Sequence, residues 1–362
     1  MPRTFLILAP VAALVLALGA IILGGGGRPV PSPTTASTPA TSPTEGAAAT
    51  PAISPYPLAA GEAWILIGEN NRITLIRPDG SGRHTIPAAG GPAVVNPTWS
   101  ADGNQVIYEG NGADGSHLWV SNADGTNAHQ LTPTPVGCPD GDCVEAVQPA
   151  WSPDGGSIAY IAPEHAGGGF VKTSLMVLDV ATGATTEIYS TTDEGLARPS
   201  WSPDSRRIVL EIDRFVGPAE GELRDTALGI VDLDGADHTP ALLTKRTLLA
   251  GYPVWHPASD LIVFRTNPIN NATGQRLDPE APSNLYTIRS DGSGLTMVTN
   301  NDVGGDSVRA PCWTGDGRIL FTAHSASSDV EVLRIIDADG TNEVSATGTT
   351  ITLGQGRWRP GT

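Results

Sequence analysis

The 362-residue sequence predicts an all-β protein: a six-bladed β-propeller whose C-terminal strand closes the first blade, preceded by an apolar helix and a disordered stalk. Two observations predict the ring. A tryptophan-led unit recurs along the chain, and the strands after each tryptophan are apolar without alternation. A third observation, two incomplete units at opposite ends of the repeat array, predicts how the ring closes.

The unit reads "PTWSADGNQVIYEG", "PAWSPDGGSIAYIA", "RPSWSPDSRRIVLEI", "PVWHPASDLIVFRT" and "PCWTGDGRILFTAH" around Trp99, Trp151, Trp201, Trp255 and Trp313, with a clipped "GRWRPGT" at Trp358. Successive tryptophans lie 45 to 58 residues apart, which suits four short strands and their loops. Each unit runs from a tight turn through an apolar strand, a variable loop and a second apolar strand to another turn. These second turns fall at Asp79, Asp124, Thr182, Asp234, Asp291 and Asp339, each followed by glycine. Such pairs mark hairpins, because glycine takes positive φ freely and aspartate hydrogen-bonds its own backbone.

The runs "VIY" at Val106, "IVL" at Ile208, "IVF" at Ile262 and "ILF" at Ile319 leave no polar face, so both faces of these strands must be covered. A radial stack of four-stranded sheets does this, since its middle strands pack against a neighbour on either side. The tryptophan segment is then each blade's innermost strand, with the flat indole filling the wedge between blades. The first unit, "EAWILIGENNRITLIRPDGSGRHTI", holds three strands, and "GRWRPGT" holds one. Pairing them completes a four-stranded blade and hides two open edges.

The "PxWSPDGxxIAY…LWVxxxDGxxxxxLT" pattern resembles the TolB-type β-propeller family, with its WD-like repeats and Pro-Asp core, from about Trp64 to the C-terminus. The resemblance implies a six-bladed propeller and a periplasmic binding platform for partner proteins. In that family a small α/β domain precedes the propeller; this sequence has an apolar segment and a stalk in its place. Other relatives of the repeat accompany peptidases as gating domains.

Residues 1–23 carry Arg3 and then an uncharged apolar run from Phe5 to Leu23, long enough to cross a bilayer. The reading is an uncleaved membrane anchor with the domain on the extracytoplasmic side, the alternative being secretion after signal cleavage. Residues 24–57 are rich in Pro, Ser and Thr and poor in large apolar side chains, so they read as a disordered linker. The propeller takes residues 58–362. Cys138 and Cys143 flank the turn-rich "PDGD", and two thiols so placed outside a membrane are expected to form a local disulfide, with free thiols or a metal site as alternatives. Cys312, beside Trp313, reads as a small buried residue.

With 38 acidic against 21 basic residues the formal charge is -17, which repels nucleic acid and excludes it as a partner. No catalytic motif stands in a supportive context, and no cofactor or metal is expected. The glycines of "GNGADG" join two strands with no helix to receive a pyrophosphate. The aspartates of "DLDG" and "DADG" lack the rest of a calcium loop and read as turn residues. His256 stands where other units have serine or threonine, and reads as a turn residue before a metal ligand.

Two function classes remain: a binding platform or sensor for a protein, peptide or glycan, and a lyase or hydrolase whose residues converge at the central channel. Convergence of three or more His, Asp, Glu or Arg side chains there would discriminate them. The long insertions, the Cys138 loop and the segments from Asp213 and from Arg265, emerge on one face, opposite the Asp-Gly hairpins. Loops on a rigid scaffold carry function, so that face is the expected binding face. At its centre the sequence places Asn96, Gln148, Arg198, Tyr252, Arg309 and Arg357 as the candidate ligand-binding set, with the arginines suited to carboxylate or phosphate.

Overall fold

The computed structural model describes residues 58, 61–69, 71–112, 115–133, 144–166, 169–215, 224–266, 283–301, 306–325, 330–351 and 355–360. The N-terminal apolar segment, the linker and the proposed Cys138–Cys143 bridge lie outside these residues. No helix among the described residues is long and apolar enough to cross a membrane.

The described residues form six four-stranded antiparallel sheets. The first blade holds β1 (Ile65–Glu69), β2 (Arg72–Ile76) and β3 (His84–Ile86). The second runs from β4 (Ala93–Trp99) through β5 (Gln105–Gly112) and β6 (Gly115–Asn122) to β7 (His129–Gln130). The third holds β8 (Val147–Trp151), β9 (Ser157–Ala166), β10 (Gly169–Asp179) and β11 (Thr185–Thr191). The fourth holds β12 (Gly195–Trp201), β13 (Arg207–Phe215), β14 (Arg224–Asp232) and β15 (Ala241–Leu242). The fifth holds β16 (Ala250–Trp255), β17 (Leu261–Thr266), β18 (Asn284–Arg289) and β19 (Thr296–Met297). The sixth holds β20 (Ser307–Trp313), β21 (Ile319–Ser325), β22 (Val330–Ile336) and β23 (Val344–Ile351). The last strand, β24 (Gln355–Trp358), returns to pair with β1, bringing Trp358 opposite Ile65. The chain is therefore an all-β six-bladed propeller, and the two incomplete units make one blade as the sequence predicts.

Six apolar clusters fill the six seams between neighbouring blades, which is why the second strands are apolar on both sides. Trp99 packs with Leu66 and Leu75 of the first blade, Trp201 with Ile161 and Leu175 of the third, and Trp313 with Val263 and Leu285 of the fifth. Trp255 packs on Val209 and Leu228 of the fourth. Trp151 and Trp358 fill the remaining seams while staying partly exposed.

Three indoles add a directed bond to this packing. The N–H of Trp99, Trp201 and Trp313 donates to the carbonyls of Arg357, Ala150 and Val254, each the residue just before the tryptophan of the preceding blade, at 3.1, 3.0 and 3.0 Å. Trp151 departs from the rule and bonds Gly155 in its own turn. The Trp255 indole N–H is buried with no partner among the described residues.

The turn after each tryptophan is held by its own side chains. In the second, third and fourth blades Ser100, Ser152 and Ser202 donate to Asp102, Asp154 and Asp204 and accept the N–H of the residue five positions on. His256 takes the serine's place in the fifth blade, accepting the Ala258 N–H at 3.0 Å and packing edge-on against Trp313. The second turns behave alike: Asp79, Asp124, Asp291 and Asp339 each accept the N–H two residues on. Asp232 does the same for Asp234. This is the turn role read for "DLDG" and "DADG".

Candidate functional site

Proline shapes the channel wall. In five blades the inner strand carries an X-Pro pair three residues before its tryptophan. Proline offers no N–H to the ladder, so the pair bulges out. The register shifts between Val95 and Thr98, Val147 and Ala150, Ala197 and Ser200, Gly251 and Val254, and Arg309 and Cys312. The residue before each proline sits in the left-handed region: Asn96 at φ 48°, Gln148 at 54°, Arg198 at 53°, Tyr252 at 56° and Ala310 at 50°. Only asparagine takes that conformation with ease, so four of the five are strained, and strain of this kind collects at ligand clamps. The first blade has Gln355-Gly356 in place of X-Pro, and β24 pairs with β1 without a shift.

A cavity of about 670 Å³ runs down the channel inside this ring. Its wall includes Asn96, Gln148, Arg198, Tyr252 and Arg357 from the sequence-derived set, together with the five bulge prolines and six tryptophans. Arg309 is not part of that wall. It lies one residue before the bulge position, which Ala310 fills, and its guanidinium pairs with Glu331 at 2.7 Å. Arg357 directly precedes Trp358, so it reaches the channel from a different register.

Buried acids brace the bulges. Glu109 accepts the Asn96 side-chain amide at 2.6 Å and the backbone N–H of Gln148. The Gln148 side-chain oxygen accepts the Arg198 N–H at 2.6 Å. Arg198 donates to Glu211 at 2.8 Å, and Glu211 also accepts the Tyr252 N–H at 3.0 Å. This relay crosses four blades, and each strained N–H is capped from the blade before it. Burial pushes both Glu109 and Glu211 above the usual carboxylate range, outweighing the hydrogen bonds and, for Glu211, the charge of Arg198.

Arg265 completes the arrangement. Its guanidinium lies 5.0 Å from the Tyr252 ring centre, and that of Arg198 lies 3.8 Å from the same ring. Burial pushes the Arg265 group below the usual guanidinium range; Tyr252 and Glu211 oppose the shift, while Arg198 and Arg309 add to it. Arg265, Glu211 and Glu109 occupy the same repeat position, directly after the apolar triplets "IVF" at Ile262, "IVL" at Ile208 and "VIY" at Val106, once the strands are aligned on their inner partners Gly251, Ala197 and Val95. The sequence reading missed all three. Their signal was available: a charged residue at a fixed offset in a strand otherwise apolar. The discriminating condition set by the sequence is met by Arg198, Arg357 and Arg359, which line the cavity; Glu109, Glu211 and Arg265 lie outside that wall and reach it through Asn96, Gln148, Arg198 and Tyr252. Among the described residues no group of three or more His, Cys, Asp or Glu is arranged to hold a metal ion.

No family model matches the chain. Over 121 residues it is 29% identical to dipeptidyl-peptidase 5 of Porphyromonas gingivalis; the match spans 31% of this chain and only 17% of that protein's length. Among solved structures it resembles TolB from Acinetobacter baumannii with a TM-score of 0.58 and 14% identity, over 84% of this chain and 68% of the other. It also resembles putative TolB from Agrobacterium tumefaciens at 0.54 and 16%, over 81% and 91%. A manganese complex of oligogalacturonate lyase matches at 0.50 and 17%, over 80% and 74%. Neighbours of such different kinds share architecture alone. The chain is thus a six-bladed β-propeller whose fold resembles that of the two TolB structures.

Proposed function

We propose that this propeller is a binding module displayed outside the cytoplasm, tethered through the apolar segment of residues 1–23 and the linker, and that it holds a protein, peptide or glycan ligand at the loop-side mouth of its channel. One observation carries the reading: three blades spend backbone strain to set Gln148, Arg198 and Tyr252 beside Asn96 around one cavity, and a relay of side chains anchored on the buried Glu109 and Glu211 fixes them there. A fold needs no such expense to close a ring, whereas a preorganised ligand site does. The Cys138–Cys143 disulfide belongs to the same extracytoplasmic placement.

An enzyme is the second reading, favoured by Arg198 at the cavity wall and the buried Glu109 and Glu211 linked to that wall from behind. The two acids, however, are spent as acceptors for bulge N–H groups, which supports a scaffold over a general base. The test uses the immobilised full chain and an envelope extract. An R198Q/E211Q pair removes the charges together, so no lone buried ion is left. Capture that is lost in this pair and kept in an Asp124→Asn control on the hairpin face supports the channel site; capture unchanged in both overturns it. Consumption of a captured ligand by the wild-type chain would turn the binding reading into the enzymatic one.

A further inference from the structure

Around the channel mouth the chain gathers positive charge against its own overall sign. Its formal charge is -17, yet Arg198, Arg265, Arg309 and Arg357 are close enough to act on one another: Arg198 and Arg309 repel the charge of Arg265, and Arg198 repels that of Arg357. Arg198 pairs with Glu211 and Arg309 with Glu331. The Arg265 guanidinium has neither hydrogen bond nor ion pair among the described residues, and its Nε is shielded from solvent with no acceptor. Its terminal nitrogens are left as donors beside Tyr252. Desolvation of this cation and the like charges of Arg198 and Arg309 outweigh the attraction of Tyr252 and Glu211, a cost that a bound anion offsets.

The form of that counter-ion follows from the donors. A guanidinium is a planar fork that matches a carboxylate with two parallel hydrogen bonds. The backbone N–H groups of Gln148, Arg198 and Tyr252 are already taken by Glu109, Gln148 and Glu211, so the ligand meets few neutral donors. Sugar rings need many such partners, and the wall beyond the arginines is largely proline and tryptophan. A ring closed on all sides admits a chain end more readily than the middle of a chain. We propose that Arg265, with Arg198 and the Tyr252 ring, binds the free C-terminal carboxylate of a peptide or partner protein, whose last apolar side chains enter the proline- and tryptophan-lined cavity. This deepens the binding reading given above and rests on it.

The experiment is fluorescence anisotropy on the full chain. The probes are a fluorescein-labelled pentapeptide ending in Pro-Leu with a free carboxylate, the same peptide amidated at its C-terminus, and trigalacturonate as competitor. The acid form binds saturably and the amide at least tenfold more weakly. Arg265→Met removes that difference while melting near or above the wild-type temperature, because the side chain it replaces is desolvated and makes no hydrogen bond or ion pair among the described residues, only the contact with the Tyr252 ring. Equal affinity for acid and amide overturns the proposal, as does discrimination that survives in R265M or a wild-type chain that leaves the acid unbound. Arg265-dependent binding of trigalacturonate without peptide binding overturns it in favour of an acidic glycan. Each of these failures leaves the channel site standing if R198Q/E211Q still abolishes capture from the extract, so the two readings fail separately.

Discussion

The indole N–H of Trp99 donates to the backbone carbonyl of Arg357 at 3.1 Å, across a separation of 258 residues. That bond ties the second blade to the strand that closes the first. Trp99→Phe keeps most of the packing and deletes the donor, so it should cost about 1 kcal/mol, the net worth of one such bond. Trp255→Phe offers the contrast, because its buried N–H has no partner among the described residues. Urea midpoints should fall for W99F and stay level or rise for W255F; equal losses would show that packing alone sets both values.

Arg359 follows the closing strand and is 4% exposed. Its Nε donates to the Gly103 carbonyl at 2.9 Å, and its N–H to the Trp64 carbonyl at 2.8 Å. Gly103 sits at φ 67°, and a Cβ there would come within 2.9 Å of the Arg359 side chain, so the contact needs glycine on conformational and steric grounds alike. Arg359→Ala should cost about 2 kcal/mol for a charged hydrogen bond lost from a buried site. Removing residues 355–362 should cost far more, since β1 then becomes an open edge. A truncated chain that melts with the full-length one would refute closure by β24.

Ala310 takes φ 50° with no side-chain hydrogen bond to repay the strain. Ala310→Gly should therefore stabilise the protein by about 0.5–1 kcal/mol, the left-handed penalty less the entropy that glycine adds to the unfolded chain. Thermal unfolding reads the sign. A lower melting temperature would mean that the buried methyl group of Ala310 outweighs the strain.

Two sets of acids pull the pH dependence in opposite directions. Glu109 has a folded pKa raised by burial, so it contributes stability below its unfolded value of about 4.3 that is lost as pH rises through the folded value. Asp102, Asp154 and Asp204 are lowered, chiefly by the hydroxyls of Ser100, Ser152 and Ser202; their contribution is present above about 3.9 and lost as pH falls through the folded values. Glu109→Gln keeps an oxygen to accept from Asn96 and Gln148 and removes the titration. Its gain over wild type should grow from pH 5 to pH 8 in urea midpoints, and a constant gap would show that Glu109 titrates alike in both states.

Thiol counting checks the compartment. Cys312 is buried, and burial raises its thiol above the usual range, so it should resist maleimide in the native chain. In denaturant without reductant one thiol should react, and after reduction three. Three reactive thiols before reduction would rule out a bond between Cys138 and Cys143.

Much of this architecture was legible in the chain because repetition exposes it. The six tryptophans, the uniformly apolar second strands and the split first blade each state a local requirement that only a closed ring meets. The site was legible in part. Asn96, Gln148, Arg198 and Tyr252 share the position before proline, so repeat alignment alone brings them together. Arg309 drew notice as a charge although the equivalent residue is Ala310, and Arg357 belongs to the unit without proline. Glu109, Glu211 and Arg265 read as the polar ends of apolar strands. Their convergence comes from the radius and rotation of the ring, which no single unit carries. The ion pair of Arg309 with Glu331 joins an inner strand to one two places out, and no periodicity in the sequence links those strands.

The missing X-Pro bulge of the first blade gives the channel a direction around its axis. Six identical blades would present any ligand with six equivalent poses, and a bound chain could turn among them. Here five blades push a proline toward the axis and one, at Gln355-Gly356, does not; beside that gap stands Arg357, with Tyr252 and Arg198 farther around the wall. The ring therefore has a front and a back when viewed down its axis. A ligand held by it has one rotational setting, so whatever part of it projects beyond the mouth is aimed toward one side of the propeller.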